Sequence, residues 1–391
     1  MSPEPLPAVP RRRVAMAFLA LGGGAVGCVV VIGLLAWLMQ ARSWTQVAPL
    51  ADPEWGITFS CRYAEYLLLE DPAEGAAGYV DRSHPDRPAW CGETLGRLLD
   101  LSGARFLRLS VEWSDVDRGP GRYDWAAIDR QLAEAERRGV DVLMSVGMKS
   151  QRHPEYYIPD RLLEGADIPY RGDPADVPAI RDGALALISA AVGHFAGSPA
   201  ITAWMVENEP FQGSARIEFW ALGRDYVREA MAAARAADPA GRPLVLNHSG
   251  HWSWDQKWRW AAEGDIVAVN IYPWRNWDLF AIGPKRTIAS LELGPISPNW
   301  AARRREVAEQ PFWITEMQAE PWGDPDIRVF GPGNPAPDMS LGKLRKNVEY
   351  SRRTGADRVY LWGSEWWLYQ SDGYGDNRWL VAGKAILTGA N

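Results

Sequence analysis

Short apolar, β-branched runs recur along this chain, and a stretch with helical periodicity follows most of them. Eight runs are predicted strands, at 56–60, 105–111, 140–146, 201–206, 243–247, 266–271, 311–315 and 357–362. Predicted helices lie between them at 125–138, 179–196, 216–237, 299–309 and 340–354. Strands that alternate with helices indicate a parallel sheet, because parallel neighbours need a long crossover. Eight such units predict a (β/α)8 barrel, and the length beyond residue 54 accommodates that fold with loop insertions.

A doubly wound open sheet is the alternative fold. Such a sheet usually carries a glycine-rich turn after its first strand, where a nucleotide phosphate binds. Here the first predicted strand runs into Ser60-Cys61-Arg62-Tyr63, and no glycine follows until Gly75. The sequence contains no GxGxxG or P-loop motif. The barrel is therefore favoured, and no cofactor is predicted.

The N-terminal region combines a basic tail with a long uncharged stretch. Residues 14–39 contain no charge, and as a helix they would extend about 39 Å, more than a hydrocarbon core of about 30 Å. Arg11, Arg12 and Arg13 precede this stretch, and such clusters stay on the cytoplasmic side. We predict a cytoplasmic tail (1–13), a transmembrane anchor (14–39), a linker (40–54) and one extracytoplasmic barrel domain (55–391). A cleaved signal peptide is the alternative, although its apolar core would normally be about 7–15 residues.

Composition narrows the classes of function. The net charge is −7, which argues against a nucleic-acid partner, since such proteins usually carry a basic face. Three cysteines exclude a disulfide framework or a cysteine-rich zinc module. The 21 tryptophans outnumber the 13 tyrosines, and flat rings of this kind can stack on sugars. We expect about half of a group of them to line a saccharide cleft and the others to pack in the helix layer. The group is Trp252, Trp254, Trp258, Trp260, Trp274, Trp277, Trp322, Trp366 and Trp367.

Two acids follow predicted strands directly. Glu209 stands in WMVENEPF after the fourth strand, and Glu316 stands in FWITEMQ after the seventh. Active sites of (β/α)8 barrels lie at the C-terminal ends of the strands, so we expect both carboxylates at one barrel mouth. Hydrolysis of a glycosidic bond needs two such groups, one to donate a proton and one to attack or to activate water.

At these positions the sequence resembles the retaining (β/α)8 glycoside hydrolases of the cellulase superfamily, or clan A. The resemblance rests on Asn208-Glu209 and Glu316, and it covers most of residues 55–370 as a spacing of motifs. It implies that Glu209 is the acid/base, that Glu316 is the nucleophile and that Asn208 contacts the sugar 2-hydroxyl.

The same resemblance assigns roles to residues on other strands. It implies that Arg108 lies beside the nucleophile, that Tyr272 hydrogen-bonds it and that Trp362 forms part of the sugar platform. The sequence departs from many clan members after the third strand, where Met148-Lys149 stands in place of a histidine. This departure leaves the family within the clan open.

Further residues near the strand ends are candidate substrate contacts. We assign His248, Trp274 and Trp366 to this group, and we expect Glu320 and Glu365 to be substrate contacts or solvated charges. His248 and His251 are three residues apart, but no third ligand completes a metal site, so no metal is predicted.

Cys61 and Cys91 would both lie outside the membrane in the predicted orientation. A disulfide between them, which would tie the first loop to the first helix, is a hypothesis, because the sequence does not fix the distance between the two cysteines.

These features predict a retaining glycosidase at the outer face of the cell membrane, acting on a β-linked oligo- or polysaccharide. A second sugar could replace water and give transglycosylation. The alternative is a non-catalytic saccharide-binding or envelope-assembly protein on the same barrel, although the two acids argue against it. A lyase or epimerase is less favoured, because metal and phosphate motifs are absent from the sequence. The sequence does not indicate the sugar, the endo or exo mode, or the oligomeric state.

Overall fold

The structure is a computed structural model, and it describes most of the chain after residue 51. The described residues are 27, 31–35, 52–69, 84, 86–213, 218–250, 255–282, 285–292, 299–322 and 326–390, with backbone only for 275–282 and 285–292.

Ten strands occur within these residues. They are β1 (Glu54–Thr58), β2 (Phe106–Ser110), β3 (Asp141–Val146), β4 (Ile201–Val206), β5 (Leu244–Ser249), β6 (Ile266–Ile271), β7 (Trp274–Ile282), β8 (Lys285–Glu292), β9 (Phe312–Gln318) and β10 (Arg358–Trp362). Eight of them close into a barrel of parallel strands in the order β1-β2-β3-β4-β5-β6-β9-β10. The predicted (β/α)8 barrel is thus confirmed, and each predicted strand corresponds to one barrel strand. The antiparallel hairpin β7–β8 is an addition between β6 and β9, where the sequence analysis predicted no strand.

Helices follow the barrel strands, as the fold requires. They are α1 (Cys61–Leu68), α2 (Arg87–Ser102), α3 (Trp113–Val116), α4 (Ala126–Arg138), α5 (Asp160–Leu163), α6 (Pro178–Phe195), α7 (Arg224–Ala237), α8 (Trp300–Arg304), α9 (Leu341–Thr354), α10 (Ser364–Tyr374) and α11 (Arg378–Thr388). The prediction of a helix over 216–237 was wrong at its start. The chain is still extended at Gly223, whose amide donates to the Asp173 carboxylate at 2.7 Å, so the helix begins only at Arg224.

Local sequence explains where elements begin and end. Gly139 ends α4 in a left-handed conformation (φ 64°), which glycine adopts at little cost, and its amide caps the helix. Gly56 in β1 meets β2 closely, since a Cβ there would lie 2.6 Å from the Phe106 carbonyl oxygen. The absence of a side chain at Gly56 therefore leaves room for Tyr360 inside the barrel.

The barrel interior changes from apolar to polar along its axis. Its lower part is filled by Leu143, Ala203, Met205, Val245, Ile266, Ala268, Trp313 and Tyr360, with Phe106 packed against them. Nearer the C-terminal ends of the strands, the inward side chains are polar and buried. They are Arg108, Ser145, Asn247, Asn270 and Thr315. A buried polar layer is costly unless its groups are hydrogen-bonded, so this change marks the functional end of the barrel.

The predicted anchor falls mainly outside the described residues. Residues 31–35 are helical and exposed, Gly27 is helical, and the rest of 14–39 is not described. Within the described part of the chain, no helix has the length and apolarity needed to cross a bilayer. The tail, the anchor and most of the linker therefore remain predictions.

Candidate active site

Glu209 and Glu316 reach the barrel mouth by different local structures. Glu209 is the third residue after β4 and has a left-handed backbone (φ 46°), which is uncommon for a residue with a Cβ. Glu316 was expected just after its strand, but β9 continues through it to Gln318. The register between β6 and β9 shifts at this point, where Asn270 pairs with Glu316. The irregularity lets the consecutive side chains of Thr315 and Glu316 both enter the polar layer.

Both oxygens of the Glu316 carboxylate are held by buried donors. Arg108 Nη1 donates to Oε1 at 2.7 Å, and Tyr272 Oη donates to Oε2 at 2.6 Å. Glu316 is 4% exposed and Arg108 is fully buried. Charge-assisted and hydroxyl hydrogen bonds on its two oxygens hold this carboxylate in one orientation at the mouth. The predicted positions of Arg108 and Tyr272 beside Glu316 agree with this geometry.

Arg108 links Glu316 to the segment that carries the other acid. Its Nη2 donates to Asn208 Oδ1 at 2.9 Å, and its Nε donates to Ser145 at 3.2 Å. Asn208 precedes Glu209, and its backbone amide donates to the Lys149 carbonyl oxygen at 2.8 Å. One guanidinium therefore sets the relative position of both candidate catalytic segments.

The backbone of Glu209 is fixed from two sides, and the residue is half-buried. Its amide donates to Asn247 Oδ1 at 2.6 Å, and its carbonyl oxygen accepts from Lys149 Nζ at 2.8 Å. Burial, together with the charge of Glu316, raises the pKa of Glu209 to about 7, and the cation of Lys149 opposes this rise. Glu209 is therefore a carboxyl group that can hold a proton near neutral pH.

An amide network supports the two acids, and the sequence analysis did not assign it. Asn247 Nδ2 donates to Asn208 Oδ1 at 2.9 Å and to Thr315 Oγ1 at 3.2 Å. Thr315 Oγ1 donates to Asn270 Oδ1 at 2.7 Å. Strand alternation could have identified Asn247, because in consecutive Asn247-His248 only one side chain can face inward.

His248 is the residue that faces outward, so its assignment as a substrate contact was wrong. Its Nε2 lies 3.4 Å from the Asp255 carboxylate, and its ring meets Phe211 edge-on. The side chain is fully buried, and burial lowers the pKa of His248. His251 lies outside the described residues.

The tryptophans separate into core and rim positions. Trp366 does not line the mouth as predicted, since it is buried against Trp379 in the helix layer. Trp274 is also buried, and its indole donates to Asn347 of α9 at 3.0 Å, which turns the ring toward that helix. Trp322 is half-buried and its ring centre lies 5.9 Å from that of Tyr272.

Other members of the predicted aromatic group divide in the same way. Trp258 and Trp367 are core residues, whereas Trp260 is half-buried with its ring edge-on to that of Phe211. Trp252, Trp254 and the Trp277 side chain lie outside the described residues.

Trp362 lies at the mouth, but it is only 5% exposed. Its ring contacts Tyr272 edge-on at 6.1 Å, and the Arg152 guanidinium carbon lies 3.8 Å from its ring centre. One face of the predicted sugar platform is therefore covered by a cation that the sequence analysis did not single out.

Glu320 and Glu365 are buried, and neither is a solvated charge. Arg152 Nη2 donates to Glu365 at 2.9 Å, and its Nη1 pairs with Glu320. Burial raises the pKa of Glu320 to about 7, against the effect of Arg152. Both acids belong to an ion-pair cluster beside Trp362.

The disulfide that the sequence left as a hypothesis is present, with the Cα atoms of Cys61 and Cys91 5.4 Å apart. Together with Glu65 these cysteines form the group of potential metal ligands among the described residues. Because the two sulfurs are bonded to each other, they are not available as thiolates, and Glu65 accepts from Arg87 at 3.0 Å.

Comparison with known proteins informs the fold. The sequence matches no protein-family profile and no curated protein. Among solved structures, the chain resembles a β-galactosidase from Rahnella sp. R3, with a TM-score of 0.55 and 11% identity over 88% of this chain and 57% of that one. It also resembles a β-galactosidase from the Antarctic haloarchaeon Halorubrum lacusprofundi, with a TM-score of 0.53 and 12% identity over 86% of this chain and 57% of that one.

A third similar structure is a GH5_18 protein from Streptomyces cattleya in complex with GlcNAc. The TM-score is 0.52 and the identity 14%, over 80% of this chain and 70% of that one. The chain thus spans little more than half the length of the two β-galactosidases, and likeness at these identities shows the fold alone. Fold and site together define a (β/α)8 barrel with two glutamates in different environments at its mouth.

Proposed function

We propose that this chain is a retaining glycosidase that cleaves β-linked saccharides with Glu316 as nucleophile and Glu209 as acid/base. The observation that carries the proposal is the contrast between the two carboxyl groups. Glu316 receives a cationic and a hydroxyl donor, whereas burial and the Glu316 charge raise the pKa of Glu209 to about 7. Two carboxyl groups held in different protonation states are the arrangement that glycoside hydrolysis requires.

The first chemical step uses both groups at once. The Glu316 carboxylate attacks the anomeric carbon, the bond from that carbon to the leaving oxygen breaks, and Glu209 gives its proton to that oxygen. A glycosyl ester on Glu316 results, and Glu209 is left as a carboxylate.

The second step reverses these roles. Glu209 takes a proton from water as the water oxygen attacks the anomeric carbon, and the ester bond to Glu316 breaks. The sugar leaves with its original anomeric configuration. A sugar hydroxyl in place of water gives transglycosylation by the same proton transfers.

Asn208 is suited to bind the substrate. Its side-chain oxygen accepts from Arg108, Asn247 and Asn270, at 2.9, 2.9 and 3.4 Å. These three hydrogen bonds fix the orientation of the Asn208 amide group. Its nitrogen is therefore the group that donates to a sugar hydroxyl next to Glu209.

The outward location is proposed with the function. Residues 14–39 have the length and apolarity of a membrane anchor, and three arginines precede them. The Cys61–Cys91 disulfide supports placement of the barrel outside the cytoplasm, because disulfides persist in oxidising compartments.

Turnover of aryl β-glycosides by the full chain and two variants tests the proposal. Glu316→Gln and Glu209→Gln each keep the size of the side chain and remove its acid function, and Glu349→Gln on the exposed face of α9 is the matched control. We expect both site variants to lose about 10³-fold or more in kcat while the control is unchanged. A substrate that all four proteins hydrolyse equally would overturn the assignment. Equal binding of sugars by all four without turnover would favour the saccharide-binding protein.

A further inference from the structure

A buried group of five residues fills one side of the barrel mouth. We call it the Arg152 cluster, and it consists of Tyr63, Arg152, Glu320, Trp362 and Glu365. Each of these side chains is more than nine-tenths buried. They come from four different places in the chain, namely α1, the loop after β3, the segment after β9, and β10 with the start of α10.

The cluster is cross-linked through its central cation. The Arg152 guanidinium lies between two rings, 3.5 Å from the centre of Tyr63 and 3.8 Å from that of Trp362. Its terminal nitrogens pair with Glu320 and Glu365. Cation–π contacts and charge-assisted hydrogen bonds together hold a side chain whose backbone is itself left-handed (φ 73°).

The carboxylates in turn attach the cluster to the first strand and helix. Glu365 Oε1 accepts from the Ser60 amide at 2.8 Å, and Glu320 Oε2 accepts from Tyr63 Oη at 3.2 Å. Both terminal nitrogens of Arg152 pair with carboxylates, so the charge of the guanidinium is balanced within the cluster. The cluster is therefore a wall rather than a charge-recognition site.

Its position across the barrel decides which part of a substrate it meets. In the closed strand order, β10 lies directly opposite β4. Glu209 follows β4, and the aglycone leaves on the side of the acid that protonates it. The glycone therefore extends from Glu209 toward β10, where Arg152 covers Trp362.

We propose that the Arg152 cluster closes the glycone side of the cleft and makes the enzyme exo-acting, so that it removes one terminal sugar at a time. The exo assignment rests on the proposed glycosidase function, and it specifies at which end of the saccharide the enzyme cuts. In this arrangement the aglycone extends past Glu209, and further glycone units would collide with the wall.

Product analysis on paired substrates tests the proposal. The probes are 4-methylumbelliferyl β-glycosides of glucose, galactose, mannose and N-acetylglucosamine, and the corresponding cellobioside, lactoside, mannobioside and chitobioside. The full chain should hydrolyse a single-sugar glycoside at least about 100-fold faster than it releases the intact disaccharide from the paired probe. Rapid release of an intact disaccharide, abolished by Glu316→Gln, would overturn the exo assignment and leave the glycosidase function standing. Turnover of no probe by the full chain would remove both.

Variants then test the cluster itself. Arg152→Gln combined with Glu320→Gln removes one charge of each sign, and should lower the preference for the single-sugar probe by about tenfold or more. Tyr63→Ala removes one of the two rings that enclose the Arg152 guanidinium and leaves no charge unpaired. It serves as the test variant if the double variant does not fold. Arg352→Gln, in an exposed ion pair with Asp52, is the control. An unchanged preference in a folded cluster variant would overturn the role of the wall.

Discussion

Arg108 Nη1 lies 2.7 Å from Glu316 Oε1, and this ion pair has almost no contact with solvent. The pair places the Glu316 carboxylate at the barrel mouth. The same guanidinium also holds Asn208 beside the second acid, Glu209. Taking both charges out of water is costly, and the hydrogen bonds of Arg108 to Ser145 and the Thr315 carbonyl help to offset that cost.

Loss of Arg108 should therefore affect both stability and activity. Arg108→Met leaves the buried Glu316 without its cation, and we expect the free energy of unfolding to fall by about 3–5 kcal/mol. Chemical denaturation measures the effect. Arg352→Met, which breaks the exposed pair with Asp52, is the control and should cost less than about 1 kcal/mol. Equal losses in the two variants would show that burial of the Arg108 pair does not determine its contribution.

Tyr272 should contribute to catalysis mainly through its hydroxyl. Tyr272→Phe removes the 2.6 Å hydrogen bond to Glu316 and keeps the ring. A hydrogen bond to a charged group contributes about 1.5–3 kcal/mol, so we expect kcat/KM to fall by about 10- to 100-fold. Tyr369→Phe, which removes a hydroxyl bonded to the Arg328 carbonyl near α10, is the matched control. The role assigned to Tyr272 fails if both variants keep wild-type kinetics.

The rate should fall as pH rises through about 7. Burial and the Glu316 charge raise the pKa of Glu209 to about 7, and the acid must carry its proton when substrate arrives. Activity is therefore present below this pKa and lost above it. Lys149→Met removes a cation that lowers the pKa of Glu209, so the alkaline limb should move to higher pH.

Lys149→Arg is the charge-conserving control and should leave the alkaline limb closer to its original position. A pH–rate profile of kcat/KM for the three proteins makes the measurement. An alkaline limb that stays in place in Lys149→Met would mean that Glu209 is not the group observed.

The disulfide should stabilise the barrel by closing the segment between α1 and α2. The two cysteines are 30 residues apart, and in the chain-entropy account a loop of that length contributes about 3–4 kcal/mol. We expect Cys61→Ala combined with Cys91→Ala to lose about this amount in chemical denaturation. Intact masses with and without reductant should differ by two hydrogens in the parent. Identical masses would contradict the bond.

Most of the barrel could be predicted because its strands are short, apolar and separated by helical patterns. The hairpin β7–β8 could not, since residues 274–292 mix charged and apolar positions without the strand signal found in the barrel. The helix α1 was also missed, because the sequence analysis expected a loop at Cys61 and the helix carries the charged residues Arg62 and Glu65.

Site residues could be predicted from the sequence only where they lie in or directly after a strand that its own sequence pattern identifies. Glu209 and Glu316 follow recognisable strands, but the register shift that brings Thr315 and Glu316 inward together is a property of strand pairing. The contact of Arg152 with Trp362 joins segments more than 200 residues apart. No local sequence pattern predicts such a contact. Because of it, the Trp362 ring that was expected to be a sugar platform is covered on one face.

Trapping of the covalent intermediate tests the central claim most directly. The full chain is incubated with the 2,4-dinitrophenyl 2-deoxy-2-fluoro-β-glycosides that correspond to glucose, galactose and mannose, and its intact mass and peptide masses are measured. The fluorine slows both steps, and the good leaving group lets the first proceed, so the ester on the nucleophile accumulates. Our account predicts a mass increase of one fluorosugar, located on the peptide that contains Glu316 and absent from Glu316→Gln. A protein that hydrolyses the matching glycoside but carries the label on another residue, or releases the opposite anomer without any label, would contradict it.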